Sequence, residues 1–158
     1  MNRWHWFALI VLLSAPGAEA MEEGKGEKRL GVGVAFGAPT GLSMKYWLGG
    51  ELAVQAYIGS GFEGGLAVGA DYLVHSNETG YSRLPFYFGP GVFLGDAIYS
   101  GPTYSAGNLY LGIRGVFGVD YLLPNRPFDL AIELGPSLLL APTIGLGIEL
   151  GLAFRFYP

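Results

Sequence analysis

Large apolar residues alternate with small or charged ones along the end of the chain. From Ile144 to Phe156 every second residue is large and apolar, whereas the residues between them are mostly glycine or charged, among them Glu149 and Arg155. A strand presents alternate residues to opposite faces, whereas a helix repeats every 3.6 residues. Glycines at this density would also weaken a helix. The pattern therefore predicts a β-strand with one apolar face.

The same alternation recurs upstream and predicts eight strands in all. They are predicted at 30–36, 42–48, 52–58, 65–74, 84–94, 109–121, 129–140 and 144–156. Clusters of Gly, Pro, Asn and Ser lie between them, and these residues form turns for distinct backbone reasons. Short connections join antiparallel neighbours, so we expect the strands to follow one another in an up-and-down meander.

Charged residues within these segments all fall on the face opposite the large apolar residues. They are Lys45, Asp71, Arg114, Asp120, Asp129, Glu133, Glu149 and Arg155. A water-soluble barrel keeps its apolar face inside. Lipid instead demands an uncharged exterior, because Lys or Arg at a lipid-facing position costs about 2–4 kcal/mol at the bilayer midplane. Since hydrocarbon does not tolerate open sheet edges, the predicted fold is all-β: an eight-stranded antiparallel up-and-down transmembrane β-barrel.

Aromatic residues on the apolar face lie where even-numbered strands end and odd-numbered strands begin. They are Tyr46, Tyr72, Phe86, Phe88, Tyr121, Phe154 and Phe156. These strand ends share one rim of a meander, so the residues form a predicted aromatic girdle at the membrane interface, on the periplasmic side. The connection at 95–108 then faces outward. Its Tyr99 and Tyr104, set among Gly and Ser, make it a candidate binding loop, with an exposed linker as the alternative.

Composition and the start of the chain agree with export to a membrane. Hydrophobic residues make up 51 % of the sequence and charged residues only 14 %, against about 25 % charged residues in soluble domains. Arg3, an apolar run at 7–13 and the small residues around Glu19 have the pattern of a cleaved signal peptide. We predict a signal peptide at 1–20, a flexible charged leader at 21–29 and the barrel at 30–158, with an uncleaved anchor as the alternative at the start.

Signal peptide, alternating segments and terminal aromatic residues together resemble the small outer-membrane β-barrels of the OmpA/OmpX type. The last strand also resembles the assembly signal of such proteins, through Glu149, Gly151, Phe154 and Phe156. The resemblance implies a location in the outer membrane, contact with its lipid, and the barrel-assembly machinery as a partner during biogenesis. One departure is that such chains usually end on the aromatic residue, whereas Tyr157 and Pro158 follow here. We expect a monomer.

The face that carries the charges is predicted to fill the lumen. An eight-stranded barrel is just wide enough to be filled by its own side chains. We expect glycines on this face to let neighbouring large groups cross the lumen, and the charges to pair because isolated burial is prohibitive. The predicted lumen charge network consists of three cations, Lys45, Arg114 and Arg155, and the carboxylates Asp71, Asp120, Glu133 and Glu149. An ion path along this network is the alternative, whereas a wide diffusion pore needs about 16 strands.

No catalytic, metal or cofactor site is predicted. Hydrolytic barrels need a general base such as histidine beside a nucleophile. His5 lies in the predicted signal peptide, and His75 is predicted to be a solvated turn residue whose neighbour Ser76 points to the opposite face. The sequence has no cysteine, no metal-binding spacing and no basic patch for nucleic acid. We expect a structural envelope role without enzymatic activity, and surface binding through the outer loops. The alternatives are a narrow ion channel or a lipid-modifying enzyme that uses Glu133 and Glu149.

Overall fold

The chain folds into one closed β-barrel in a computed structural model that describes residues 29–37, 39–61, 64–77, 80–81, 83–97, 107–123 and 127–158. The strands in chain order are β1 (Leu30–Gly37), β2 (Thr40–Gly49), β3 (Leu52–Ser60), β4 (Gly64–Ser76), β5 (Phe86–Ala97), β6 (Leu109–Leu122), β7 (Phe128–Ala141) and β8 (Gly145–Phe156). Each strand pairs antiparallel with the next, and β8 pairs with β1. The predicted all-β, eight-stranded, up-and-down barrel is confirmed.

Within the ranges described, no helix is long and apolar enough to cross a lipid bilayer. The predicted signal peptide and all of the predicted leader except Arg29 lie outside the described residues. The same holds for Tyr99 and Tyr104 of the candidate binding loop.

Strand boundaries differ from the prediction mainly in β5. This strand begins at Phe86 and runs to Ala97, beyond the predicted end at residue 94. The extension places Asp96 on the exterior face, where its Oδ1 accepts a hydrogen bond from the backbone N–H of Leu66. The expectation that the apolar face carries no charged residue is therefore wrong at this position. Asp96 lies at the end of the strand and not in its middle.

The wall of the barrel has unequal height. We call the rim that holds Leu30 and Phe156 the terminal rim, and the opposite one, which holds Ala97 and Leu109, the loop rim. β6 and β7 have 14 residues each, whereas β1 has 8 and β3 has 9. With a rise of about 3.3 Å per residue and a tilt of about 40°, the long strands span about 35 Å and the shortest about 20 Å.

Side chains alternate between the exterior and the lumen along every strand. The exterior is formed almost entirely by exposed Leu, Ile, Val, Phe and Tyr side chains. The lumen holds the buried polar and charged residues Ser43, Lys45, Gln55, Asp71, His75, Arg114, Asp120, Asp129 and Arg155. A water-soluble protein has the opposite arrangement, because burying charge is costly and exposing large apolar surface gains nothing in water.

Some lumen-facing glycines lie against aromatic rings. A Cβ on Gly69 would come within 2.2 Å of the Tyr57 hydroxyl, and one on Gly118 within 2.3 Å of the Tyr87 ring. At these two positions the large neighbouring group is a tyrosine ring, in agreement with the expectation that glycines let large groups cross the lumen. The missing Cβ lets the ring lie close to the backbone of the adjacent strand.

Candidate functional site

Two clusters of ionisable side chains fill the lumen. The terminal-side cluster consists of Lys45, His75, Asp120, Asp129 and Arg155. The loop-side cluster consists of Asp71, Arg114 and Glu149. Each member comes from a strand position with lumen-facing parity, so the period of two in the sequence is what brings the charges together. Gln55 and Glu133 lie between the two clusters.

Asp120 is the centre of the terminal-side cluster. Its Oδ2 contacts Lys45 Nζ, and both side chains are fully buried. His75 Nε2 lies 3.2 Å from the same oxygen, and Arg155 Nη2 lies 3.5 Å from Oδ1. One carboxylate thus faces two basic side chains and an imidazole in a buried region, where the loss of a partner is costly.

A second carboxylate closes the lumen at the terminal rim. Asp129 accepts a hydrogen bond from Arg155 Nε at 3.0 Å and another from the Tyr157 hydroxyl at 2.6 Å. The Tyr157 oxygen in turn accepts one from Trp47 Nε1 at 3.3 Å. Burial, with the charge of Asp129 beside it, raises the pKa of Tyr157, so the hydroxyl keeps the proton that it donates. Trp47 and Tyr157 therefore form a floor across the lumen.

The loop-side cluster is built around a bidentate arginine. Arg114 Nε and Nη2 donate to the two oxygens of Asp71 at 2.8 and 2.6 Å. Its Nη1 donates to Glu149 Oε2 at 2.8 Å, and its guanidinium lies 4.5 Å from the centre of the Tyr57 ring. Two parallel hydrogen bonds to one carboxylate fix the guanidinium plane and are among the stronger protein hydrogen bonds.

Neutral side chains link the two clusters. Arg155 Nη1 donates to Gln55 Oε1, while Gln55 Nε2 donates to Glu133 Oε1 at 2.9 Å and to Asp71 Oδ2 at 3.3 Å. Glu133 also accepts a hydrogen bond from the Tyr87 hydroxyl at 2.7 Å. We expected a cation beside Glu133. In the described part of the chain its hydrogen bonds come from an amide and a phenol instead.

His75 does not lie in solvent. It is fully buried, and Nδ1 lies 3.1 Å from the backbone oxygen of Glu51 while Nε2 faces Asp120. The expectation of a solvated turn residue is wrong because β4 continues to Ser76, which gives His75 the same lumen-facing parity as Asp71. The side chain of Ser76, one residue on, belongs to the other face of the strand.

Little free space remains between these side chains. A cavity of about 20 Å³ is lined by, among others, Ser43, Tyr57, Arg114 and Glu133, and such a volume holds about one water molecule. Among the described residues, the basic side chains Lys45, Arg114 and Arg155 share the lumen with five acidic ones. Among the residues described, no group of three or more His, Cys, Asp or Glu side chains is arranged to hold a metal ion.

The predicted girdle residues all lie on the exterior near the terminal rim. Their exposed fractions lie between 36 % and 45 % for Tyr46, Tyr72, Phe86, Phe88, Tyr121, Phe154 and Phe156. Phe128 extends this aromatic girdle. The centre of its ring lies 5.3 Å from that of Phe154, on which it stacks, and 5.1 Å from that of Phe156. Sequence reasoning missed Phe128, which precedes the predicted start of its strand by one residue.

Sequence reasoning also missed the neutral half of the lumen network. Trp47, Gln55, Tyr57 and Tyr157 all make contacts there with charged groups. The alternation did indicate their position, because each of them lies two residues from another lumen-facing residue. Tyr157, for example, follows Arg155 by two residues. These residues were missed because only charged residues and glycines were assigned to the lumen.

Comparison of the chain with models of protein families, with curated proteins and with solved structures finds no match. The functional interpretation therefore depends on the contacts and faces of the barrel itself.

Proposed function

We propose that this protein is a small integral outer-membrane barrel with a structural role in the envelope and without enzymatic activity. The observation that carries the proposal is the inverted distribution of polarity. Large apolar side chains on the exterior are widely exposed, for example Leu42 at 61 % and Ile132 at 59 %, whereas Lys45 and Arg155 are fully buried. Soluble proteins rarely expose contiguous apolar patches larger than a few hundred Å².

Three further features support a membrane environment. Closure of the sheet satisfies the backbone hydrogen bonds around most of the wall, which hydrocarbon requires. The aromatic girdle supports a membrane–water interface at the terminal rim, because aromatic rings are enriched at such interfaces. The signal-peptide pattern at 1–20 and the assembly-signal pattern at Glu149, Gly151, Phe154 and Phe156 support export and assembly by the barrel-assembly machinery.

The packing of the lumen supports a structural role and not conduction. The floor of Trp47 and Tyr157 lies across the terminal end, and the two charge clusters with Gln55 fill the middle. Among the described residues, the charged groups of the lumen pair with one another, which leaves no continuous row of free sites for a permeating ion. Surface binding through the outer loops remains part of the proposal.

The proposal is tested by locating the protein in the cell envelope. We expect it in the outer-membrane fraction, resistant to extraction at alkaline pH. We also expect its detergent-extracted form to migrate faster on a gel before boiling than after, because a closed barrel resists the detergent. Recovery in the soluble periplasm without a mobility shift on boiling would refute the proposal.

A further inference from the structure

The edge of β8 that faces β1 can be read from the hydrogen bonds. The backbone N–H of Tyr157 donates to Pro127 O on the β7 side, so residues of the other parity in β8 direct their N–H and C=O groups at β1. The position of Leu150 supports this assignment. Its carbonyl oxygen points at β1, where a Cβ on Gly37 would come within 2.1 Å of it. The even-numbered residues of β8 therefore face β1.

β1 is too short to cover this edge. Its last residue, Gly37, pairs with Gly151, whereas β8 starts at Gly145. The N–H and C=O groups of Leu146 and Ile148 thus point past the end of β1. Among the residues that the structure describes, no strand pairs with this part of β8 on the β1 side.

Side-chain exposure shows the same gap independently of the hydrogen bonds. Leu146 is 89 % exposed and Ile148 is 73 % exposed, whereas Phe154, in the half of β8 that β1 covers, is 42 % exposed. An unpaired edge with apolar side chains is a template for another strand. In the membrane setting of the proposed function the edge is also unfavourable, because hydrocarbon leaves such backbone groups without partners.

We propose that the free edge Gly145–Glu149 binds an extended segment of another polypeptide by β-strand addition, antiparallel to β8 as β1 is. Strand addition gains its affinity from backbone hydrogen bonds and its specificity from alternate side chains. Partner residues opposite Leu146 and Ile148 would face outward with them and are therefore apolar. The membrane depth of this edge rests on the proposed function, whereas its hydrogen-bonding pattern does not.

The charge of the partner follows from the loop-side cluster. That cluster has one cation, Arg114, against the two carboxylates Asp71 and Glu149. The Glu149 side chain is 18 % exposed, the most open of the three. It lies on the lumen face of the free edge, so the partner residue opposite it faces the same carboxylate. A basic residue there supplies the missing positive charge.

A second copy of this chain does not fit the edge. Both copies would enter the membrane in the same orientation, so their β8 strands would run in the same sense across it. Antiparallel pairing of one free edge with the other would require one barrel to be inverted. The outer connection 95–108, in this chain or in a second copy, has no Lys or Arg to lie opposite Glu149. The occupant is therefore a segment of a different protein.

The test uses a synthetic peptide labelled at its C-terminus, Lys-Val-Gly-Leu-Ser, and the protein purified from the envelope in detergent. In antiparallel register its lysine lies opposite Glu149, its valine opposite Ile148 and its leucine opposite Leu146. We expect saturable binding by fluorescence anisotropy. N-methylation of the valine and the leucine, whose N–H groups face β8, should weaken binding at least about tenfold. N-methylation of the glycine and the serine, whose N–H groups face away, is the matched control and should leave binding unchanged.

Two protein variants complete the test. Ile148→Pro removes an N–H from the free edge and not from the β7 ladder, a position that proline tolerates, and should weaken binding to a similar degree. Glu149→Gln should weaken binding of the lysine peptide but not of a peptide with glutamine in its place. Equal effects of both N-methylated peptides would mean mere apolar adhesion and would overturn the proposal, as would absence of saturable binding. Membrane location is judged separately, from fractionation and gel mobility of the same protein.

Discussion

Neutralising Asp120 should strongly destabilise the barrel. Asp120 is fully buried, contacts Lys45 Nζ, and lies 3.2 Å from His75 and 3.5 Å from Arg155. In the described ranges it is the carboxylate that forms an ion pair with Lys45. Asp120→Asn keeps the shape of the side chain but leaves a buried ammonium without its counter-charge. Breaking a buried pair in this way costs about 3–5 kcal/mol, more than a hundredfold in the folding equilibrium.

The magnitude is measured by denaturant unfolding of the refolded barrel in detergent or lipid vesicles. Trp47 is the single tryptophan of the predicted mature chain, since the other two lie at positions 4 and 6. It is 5 % exposed in the lumen, 4.9 Å from Lys45 Nζ, so its fluorescence reports on this cluster. Glu149→Gln is the matched control, because Arg114 keeps both hydrogen bonds to Asp71. We expect a loss of about 1 kcal/mol there.

Two results would refute this reasoning. The first is a loss of stability in Asp120→Asn no larger than in Glu149→Gln. The second comes from the double variant Lys45→Met with Asp120→Asn, which removes both charges of the pair. The stability effects of substituting two residues in direct contact are not additive. The double variant should therefore lose less stability than the two single variants lose together. Full additivity would mean that the two groups do not stabilise each other.

Further predictions concern the exterior, the glycines and conduction. Leu150→Arg places a charge on the exterior face, at a cost of about 2–4 kcal/mol near the midplane, and should abolish the heat-modifiable membrane form. Equal accumulation of that variant in the membrane would contradict the orientation of the faces. Gly118→Ala should cost about 1–3 kcal/mol in denaturant unfolding through overpacking, because its Cβ would meet the Tyr87 ring at 2.3 Å. Gly151→Ala, with its nearest neighbours at 3.9 Å, should be close to neutral. In planar bilayers the purified protein should show no discrete conductance steps, and steps that vanish in Arg114→Gln would establish an ion path.

The period of two made the barrel predictable, whereas the partners within the lumen were not. Which face each strand residue takes depends on parity alone, so the interior position of Lys45 or Arg155 follows from the sequence. Which carboxylate a cation meets depends on register between strands. Asp129 lies directly opposite Arg155 in the β7–β8 ladder, and this pairing sets the contact. Turn lengths and ladder shifts decide such registers, and they are not visible in the alternation.

Errors in the prediction arose at strand ends. His75 and Asp96 lie at or beyond the predicted ends of their strands, where the alternation of residue types fades into turn residues. In the structure both strands continue. Parity therefore still applies, which sends His75 into the lumen and Asp96 to the exterior. Tyr157, one residue beyond β8, follows the same rule.

The unequal wall has a consequence for the lipid around the barrel. If the strands span the bilayer as proposed, the side formed by β6 and β7 matches a hydrocarbon layer of ordinary thickness, whereas the side formed by β1 to β3 is too short for it. The bilayer then has to thin on that side, or the barrel axis has to tilt. Lipid packing is most disturbed beside β1, next to the seam where the first and last strands meet. The protein would thus act on its surroundings as a wedge, and thinner bilayers should accommodate it at lower cost.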